Sequence, residues 1–263
     1  MKKNMFYTVV PGILSLVLIC ACQTAPGKNG KARFIAFVEK KSIPLTDAGE
    51  PAMTQEFDLL DLEDEDPDSA LFRSLVYGGQ TAEQYAAERE ELHRTEYLEV
   101  ESGFREGDDY GKSMNWYHSE TVSLVTESPR IRVFSKTGEF YTGGAHGMRE
   151  QRYFVIDRLT GWQIDTAFII KNGAEGELTA LINDALRSRT NPGSGTTLTE
   201  SGFFEETVEI TENFFLDKAG MNFHWDQYEI APYSMGPIEV CIPWKKLTAL
   251  LSAEGEAIRQ DLR

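Results

Sequence analysis

Two segments gather residue types from which chemistry can be built. The first is Tyr141-Thr142-Gly143-Gly144-Ala145-His146-Gly147, and the second is Asp226-Gln227-Tyr228-Glu229-Ile230-Ala231-Pro232-Tyr233. In the first, an imidazole can act as a hydrogen-bonding tip in a ligand groove or as an acid–base group. Gly143 and Gly144 admit backbone geometry closed to other residues, and close approach of another chain. The same string also fits a bulge or tight corner in a sheet, with His146 bonded to a backbone carbonyl. In the second segment, two amphipathic rings, Tyr228 and Tyr233, flank the carboxylate of Glu229 and the stiff Pro232. That set suits sugar or protein recognition, and it equally suits an ordered loop tied down by Tyr hydroxyls. The candidate binding residues are Tyr141, Gly143, Gly144, His146, Tyr228, Glu229 and Tyr233.

A catalytic reading has less to stand on. Glu229 and Asp226 form a carboxylate pair of the kind used in glycoside hydrolysis, so a peptidoglycan-modifying hydrolase working through His146 or Glu229 is the rival to a binding module. No residue is assigned as catalytic. No Ser-His-Asp, Gly-x-Ser-x-Gly or phosphate-loop pattern is present. The histidines are His93, His118, His146 and His224, none at the i, i+4 spacing of a helical metal site. The acidic run Asp58–Asp68 lacks the glycine and spaced ligands of a calcium loop and reads as a solvated loop. No metal and no cofactor are expected.

The elements that position these residues follow from periodicity. Arg33–Glu39 reads as a first strand. Thr81–Tyr97 reads as a helix, because Thr81 and Gln84 form a capping box. From Met114 the period changes to two, and residues 114–166 read as an antiparallel meander with tight turns at Lys136-Thr137-Gly138 and Arg158–Gly161. Asn172–Arg189 is the clearest helix: Leu178, Leu181, Ile182, Ala185 and Leu186 share one face, Asn172 caps its start, and Arg187 and Arg189 suit its end. Asn191–Gly195 is a loop. Strands around Asn213–Leu216 and Met221–Trp225 flank a Lys218-Ala219-Gly220 turn. A last strand, Ile238–Ile242, holds Cys241 as a buried inert thiol and leads into a helix opened by Pro243, with Leu247, Leu250 and Leu251 inward. The fold class is α+β: an antiparallel sheet with helices packed on it, in two subdomains, 33–125 and 126–263. A helix of about 27 Å over residues 172–189 returns the chain to the same end of the sheet, so the two motifs are expected to lie together.

The chain begins with Lys2 and Lys3, then an apolar run from Val9 to Ile19 interrupted by Pro11 and Gly12, then Cys20-Ala21-Cys22. A basic start, a short apolar segment and small residues before a cut describe a signal peptide over 1–21. A membrane-spanning helix needs about 20 apolar residues in a row. Ile19-Cys20-Ala21-Cys22 reads as a bacterial lipobox, with lipid on Cys22 and a tether over 22–32. Two acyl chains give a lasting membrane anchor, which places the protein in the cell envelope on the periplasmic or extracellular face. The 263 residues carry a formal charge of −16. That excludes nucleic acid, whose phosphates demand a basic face, and it steers basic proteins toward the surface. Three cysteines leave only Cys241 in the body, so no intramolecular disulfide and no cysteine metal site is expected.

Phe140-Tyr141-Thr142-Gly143-Gly144-Ala145-His146-Gly147, then Tyr153–Asp157, then Phe223–Tyr233, Gly236 and Ile242-Pro243, in this order with a helix between, resemble the extracytoplasmic domain shared by RsiV-type anti-sigma factors and PdaC-type peptidoglycan deacetylases. The resemblance is specific over 140–250 and loose over 33–125. It implies an α+β domain concerned with the cell wall or with agents that attack it, and RsiV-type members are receptors for lysozyme. The chain shows neither the transmembrane helix and sigma-binding segment of the first group nor the His-rich metal site of the second. The expectation is a lipid-anchored binding module for peptidoglycan glycan or for a lysozyme-like basic protein. A structural accessory lipoprotein is the remaining alternative.

Overall fold

The computed structural model describes residues 33–45, 52–103, 115–190 and 197–263. The leader, Cys22, the tether and the 191–195 loop lie outside the described residues. The fold is α+β, with two sheets among the described residues. The larger has six strands in sequence order: β1 (Phe34–Pro44), β2 (Ala52–Leu62), β3 (Trp116–Glu127), β4 (Ile131–Tyr141), β5 (Met148–Asp157) and β6 (Trp162–Gln163). The helices α1 (Ser69–Tyr77) and α2 (Ala82–Gly103) stand between β2 and β3. After β6 come α3 (Thr166–Ile169), α4 (Glu175–Thr190), a three-stranded sheet of β7 (Phe214–Leu216), β8 (Gly220–Trp225) and β9 (Ile238–Pro243), then α5 (Trp244–Leu247) and α6 (Ala253–Asp261).

The meander from β3 to β6 is antiparallel, as its alternation requires. The sheet is not antiparallel throughout, however, because β2 pairs with β3 in parallel. Two helices between those strands carry the chain back to its starting end, and parallel pairing needs such a crossover. The expected turn at Lys136-Thr137-Gly138 does not exist: these residues lie inside β4, paired with Arg152, Gln151 and Glu150. The turn at Arg158–Gly161 does form, with Gly161 at φ 68°.

Strands β4 and β5 are covered on both faces. Phe134 and Ile156 point into a core with Phe57, Leu59, Val122 and Phe72, under α1 and α2. Ile131, Val133 and Val155 point into a second core with Leu178, Ile182, Phe214 and Phe223, under α4 and the small sheet. Each such side chain contributes roughly 1.5–3 kcal/mol by leaving water. The boundary expected between residues 125 and 126 falls inside β3, since a strand cannot be divided between two bodies without breaking its ladder.

The acidic run is not a solvated loop. Its first half belongs to β2, and Asp61 and Asp68 are buried. Arg132, only 1% exposed, holds Asp66 and Asp68 at 2.6 Å each and Glu127 at 3.1 Å, and Arg73 holds Asp61 at 2.9 Å. The counter-charges lie far off in sequence, and they are what allow carboxylates inside.

The capping box on α2 is present: Thr81 Oγ1 accepts from the Gln84 N–H at 3.3 Å, and Gln84 Oε1 accepts from the Thr81 N–H at 3.0 Å. Helix α4 starts at Glu175 rather than being capped by Asn172, because Gly173 sits at φ 87°, outside helical space. Pro243 is the N-cap of α5, but that helix stops after one turn and α6 follows. Cys241 is exposed rather than buried. It faces out of β9, whose inward residues are Ile238, Val240 and Ile242.

Candidate functional site

The β4–β5 hairpin ends in the Gly143–Gly147 turn, with Gly143 at φ 100° and Gly144 at φ 92°. Tyr141 stays on the strand side and donates its hydroxyl to the Gly144 carbonyl at 3.0 Å, pinning the turn. Beyond β6 the chain leaves the outer edge of β5 without a strand partner over residues 149–153. Side chains near the small sheet cover that edge. The N–H groups of Arg149, Gln151 and Tyr153 donate to Gln227 Oε1 at 3.4 Å, Asp226 Oδ1 at 2.9 Å and Asn213 Oδ1 at 3.0 Å. Asn213 Nδ2 donates back to the Gln151 carbonyl at 2.7 Å. An uncovered edge would leave backbone donors and acceptors open to other strands. Here the covering residues also carry the 226–233 loop to the hairpin tip.

The two motifs therefore meet. His146 and Tyr233 stack with ring centroids 3.8 Å apart, and the Tyr228 hydroxyl lies 3.5 Å from His146 Nε2. Tyr233 donates its hydroxyl to the Gly147 carbonyl at 3.0 Å, and His146 Nδ1 donates to the same oxygen at 3.1 Å. The tip imidazole is thus bonded to a backbone carbonyl and displayed at once. Tyr228 is 49% exposed and is the one non-glycine residue at positive φ, 69°, among those described. A ring held in that region carries backbone strain on the order of 1–3 kcal/mol.

Glu229 is exposed, but its Oε2 accepts the Asp226 N–H at 2.8 Å, while Asp226 Oδ1 accepts from Gln151 N–H and from His224 Nε2 at 3.1 Å. Both carboxylates hold the loop in shape. Buried His224 is a further brace: burial alone would lower its pKa, but the carboxylates of Asp226 and Glu239 outweigh it and raise it.

A second arrangement, which sequence reasoning missed, lies on the other face of the same hairpin. A cavity of about 550 Å³ is bounded by α2, through Tyr85, Arg89, His93 and Glu96, and by the sheet, through residues that include His118, Glu120, Lys136 and Gly138. The α2 residues recur every three or four positions and so form one stripe facing the sheet. His118 and Glu120 alternate inward on β3, between the buried Trp116 and Val122.

At the base, Glu120 is the acceptor for Tyr85 Oη at 2.8 Å, His118 Nε2 at 3.1 Å and Lys136 Nζ at 3.0 Å. Burial would raise the Glu120 pKa, but the hydrogen bond from His118 and the charge of Lys136 bring it down to about 2. Burial lowers Lys136, with Glu120 opposing, and burial together with Glu120 pushes the Tyr85 phenol up. His93 is brought down to about 4, by burial first and then by the neighbouring His118 and Arg89. Its Nδ1 accepts from Gln55 Nε2 at 2.8 Å, so the neutral ring carries its proton on Nε2. Fully buried Gln55 leaves its Oε1 without a partner. The signal for this site was the pair of inward polar positions on β3, which need partners once buried.

Among the described residues, no group of three or more His, Cys, Asp or Glu side chains is placed to hold a metal ion, and no helix is long and apolar enough to cross a membrane. A family model described as a protein of unknown function (DUF3298) matches residues 168–245, from α3 to the start of α5. The match includes the Tyr228–Tyr233 loop and stops short of the hairpin tip. No match is found among curated proteins. The fold is similar to that of a DUF3298-family member from Bacteroides fragilis, at 21% identity and a TM-score of 0.75, covering 89% of this chain and 98% of that one. It is also similar to a DUF3298-family protein from Pseudomonas aeruginosa, at 18% identity and a TM-score of 0.59, covering 86% and 96%. Both likenesses are of fold.

Proposed function

We propose that the chain is a cell-envelope lipoprotein, anchored through Cys22 and related to the RsiV-type and PdaC-type extracytoplasmic domains, that works as a binding module. Its docking face is the surface formed by Tyr228, His146 and Tyr233. The observation that carries this reading is the stack of His146 on Tyr233 beside an exposed Tyr228 held at positive φ. A structural corner does not require a strained, half-exposed ring, and strain of this kind collects where a side chain must be presented. Aromatic rings with polar tips are the usual anchors of an interface. The net charge of −16 favours a basic partner, a wall-directed protein of the lysozyme kind, over the wall glycan.

Titration of the purified chain with lysozyme tests this. Affinity should fall at least ten-fold between about 20 mM and about 150 mM salt, as the screening length shortens. Tyr228→Gly removes the ring and relaxes the positive φ. It should weaken binding ten-fold or more while leaving stability unchanged or raised by up to about 1 kcal/mol. Absence of binding at low salt would remove the protein partner, and retention on insoluble peptidoglycan would then assign the ring surface to glycan. A Tyr228→Gly protein that is markedly destabilised would make the loop a structural corner.

A further inference from the structure

The cavity under α2 is separate from the ring surface, and three features set it apart from a merely satisfied polar layer. Gly138 lies in the middle of β4, where a side chain would be expected to pack, and a Cβ built there meets nothing within 4 Å. A glycine inside a strand commonly marks the approach of a ligand or another backbone. Its missing side chain leaves the floor of the cavity open, opposite Glu120 on β3 and Glu150 on β5. Fully buried Gln55, which orients His93, keeps one amide oxygen unpartnered beside this layer. The volume of about 550 Å³ falls within the range of small-molecule sites.

Charge decides what such a site accepts. Apart from the histidines and Tyr85, the ionisable side chains of the lining are Arg89, Lys136 and Arg152 against Glu96, Glu120 and Glu150, three of each sign. At the base, Lys136 and Glu120 are already bonded to one another at 3.0 Å. That pair leaves the buried base no spare counter-charge for a charged ligand, whose desolvation there would be costly. The field of a −16 chain further disfavours an anion. Hydroxyl groups, by contrast, donate and accept together, and they match a lining that carries both carboxylate and guanidinium groups. Met53, Tyr85 and Phe140 supply an apolar side for the carbon face of a ring.

We propose that this cavity is a binding site for an uncharged polyhydroxylated ring, a neutral sugar, with Gly138 as its floor and Arg89, Glu150 and Arg152 as its hydroxyl-reading rim. The site does not depend on the ring surface around Tyr228.

Isothermal titration of the full chain with N-acetylglucosamine and glucose as neutral probes, and glucosamine and glucuronate as charged ones, tests the proposal. At least one neutral sugar should bind saturably, ten-fold or more tighter than either charged sugar. Gly138→Leu fills the open floor of a strand position that tolerates a side chain, and should abolish that binding while the far-UV spectrum and melting temperature hold. Exposed Arg152→Gln leaves an excess of carboxylate, and should shift preference toward cationic glucosamine by at least three-fold. Tyr228→Ala should leave the sugar affinity unchanged, so that failure of the ring-surface reading and failure of this one are told apart. No saturable binding of either neutral sugar, equal binding of charged sugars, or binding that survives Gly138→Leu would each overturn the site. Should Gly138→Leu fail to fold, an unchanged sugar preference in Arg152→Gln overturns it alone.

Discussion

His93 should make the protein lose stability on acidification, in a window set by its surroundings. The ring is 8% exposed, lies against His118, Arg89 and Glu120, and accepts a hydrogen bond from Gln55. Its folded pKa is about 4 against 6.5 for an ordinary histidine. The native state therefore favours the neutral ring, while the unfolded chain takes up a proton first. The stability this lends is complete above the unfolded value and disappears as pH falls from 6.5 toward 4. Between pH 8 and pH 5 the loss amounts to about 2 kcal/mol, from the ratio of the neutral-ring fractions in the folded and unfolded states at pH 5. His93→Gln keeps an acceptor for Gln55 without a titrating group. Urea unfolding of both proteins at pH 8 and pH 5 measures the difference. The variant should start about 1 kcal/mol less stable, from the altered hydrogen bond, yet lose about 2 kcal/mol less on going to pH 5. His224, whose pKa is raised, contributes with the opposite sign, present below 6.5 and lost as pH rises through its folded value, but it does so equally in both proteins. Glu120, held to about 2, loses its contribution only as pH falls from about 4.5 toward 2, below the window. Parallel pH dependence in the two proteins would refute the claim that His93 is kept neutral.

Other perturbations follow from the same contacts. Arg132→Met strands Asp66 and Asp68 in the interior and should cost about 3–5 kcal/mol, with part recovered when Asp68→Asn is added; urea midpoints give both figures. Gly220→Ala drives a Cβ into the Ile242 carbonyl across the β8–β9 pair and should destabilise by at least about 1–3 kcal/mol, read as a lowered melting temperature. Cys22→Ser should abolish palmitate labelling and move the protein to the soluble fraction, whereas persistent label would shift the anchor to Cys20.

Local features were legible in the sequence. The period-two runs of β3 to β5, the Thr81–Gln84 box and the Leu178–Ile182–Leu186 stripe each depend on neighbours within a few residues. The meeting of His146 with Tyr233 was also accessible, because two loops rich in glycine and rings were placed at the same end of one sheet. Long-range partners were not accessible. Nothing near Asp66 and Asp68 announces Arg132, so charge alone read as a solvated loop. Gly138 carries the signature of a turn, and only its register opposite Glu120 and Glu150 shows it to be a cavity floor. The His93–His118–Glu120 group draws on α2 and β3 together, and its parallel crossover could not be read from periodicity, which carries no pairing direction.

One pair of strands serving two interiors has a consequence for how the molecule comes apart. Ile131, Val133 and Val155 belong to one core, Phe134 and Ile156 to the other, and all five lie on β4 and β5. Detaching either strand uncovers both interiors at once, so neither half has a melting point of its own. Calorimetry should record a single transition whose van't Hoff and calorimetric enthalpies agree, the mark of an all-or-none process. A fragment cut at residue 126 would retain β4 and β5 with one apolar face bared and Arg132 deprived of Asp66 and Asp68. Such a piece would be an aggregating strand pair, which makes the helical layer of α1 and α2 an obligatory part of whatever the hairpin tip presents.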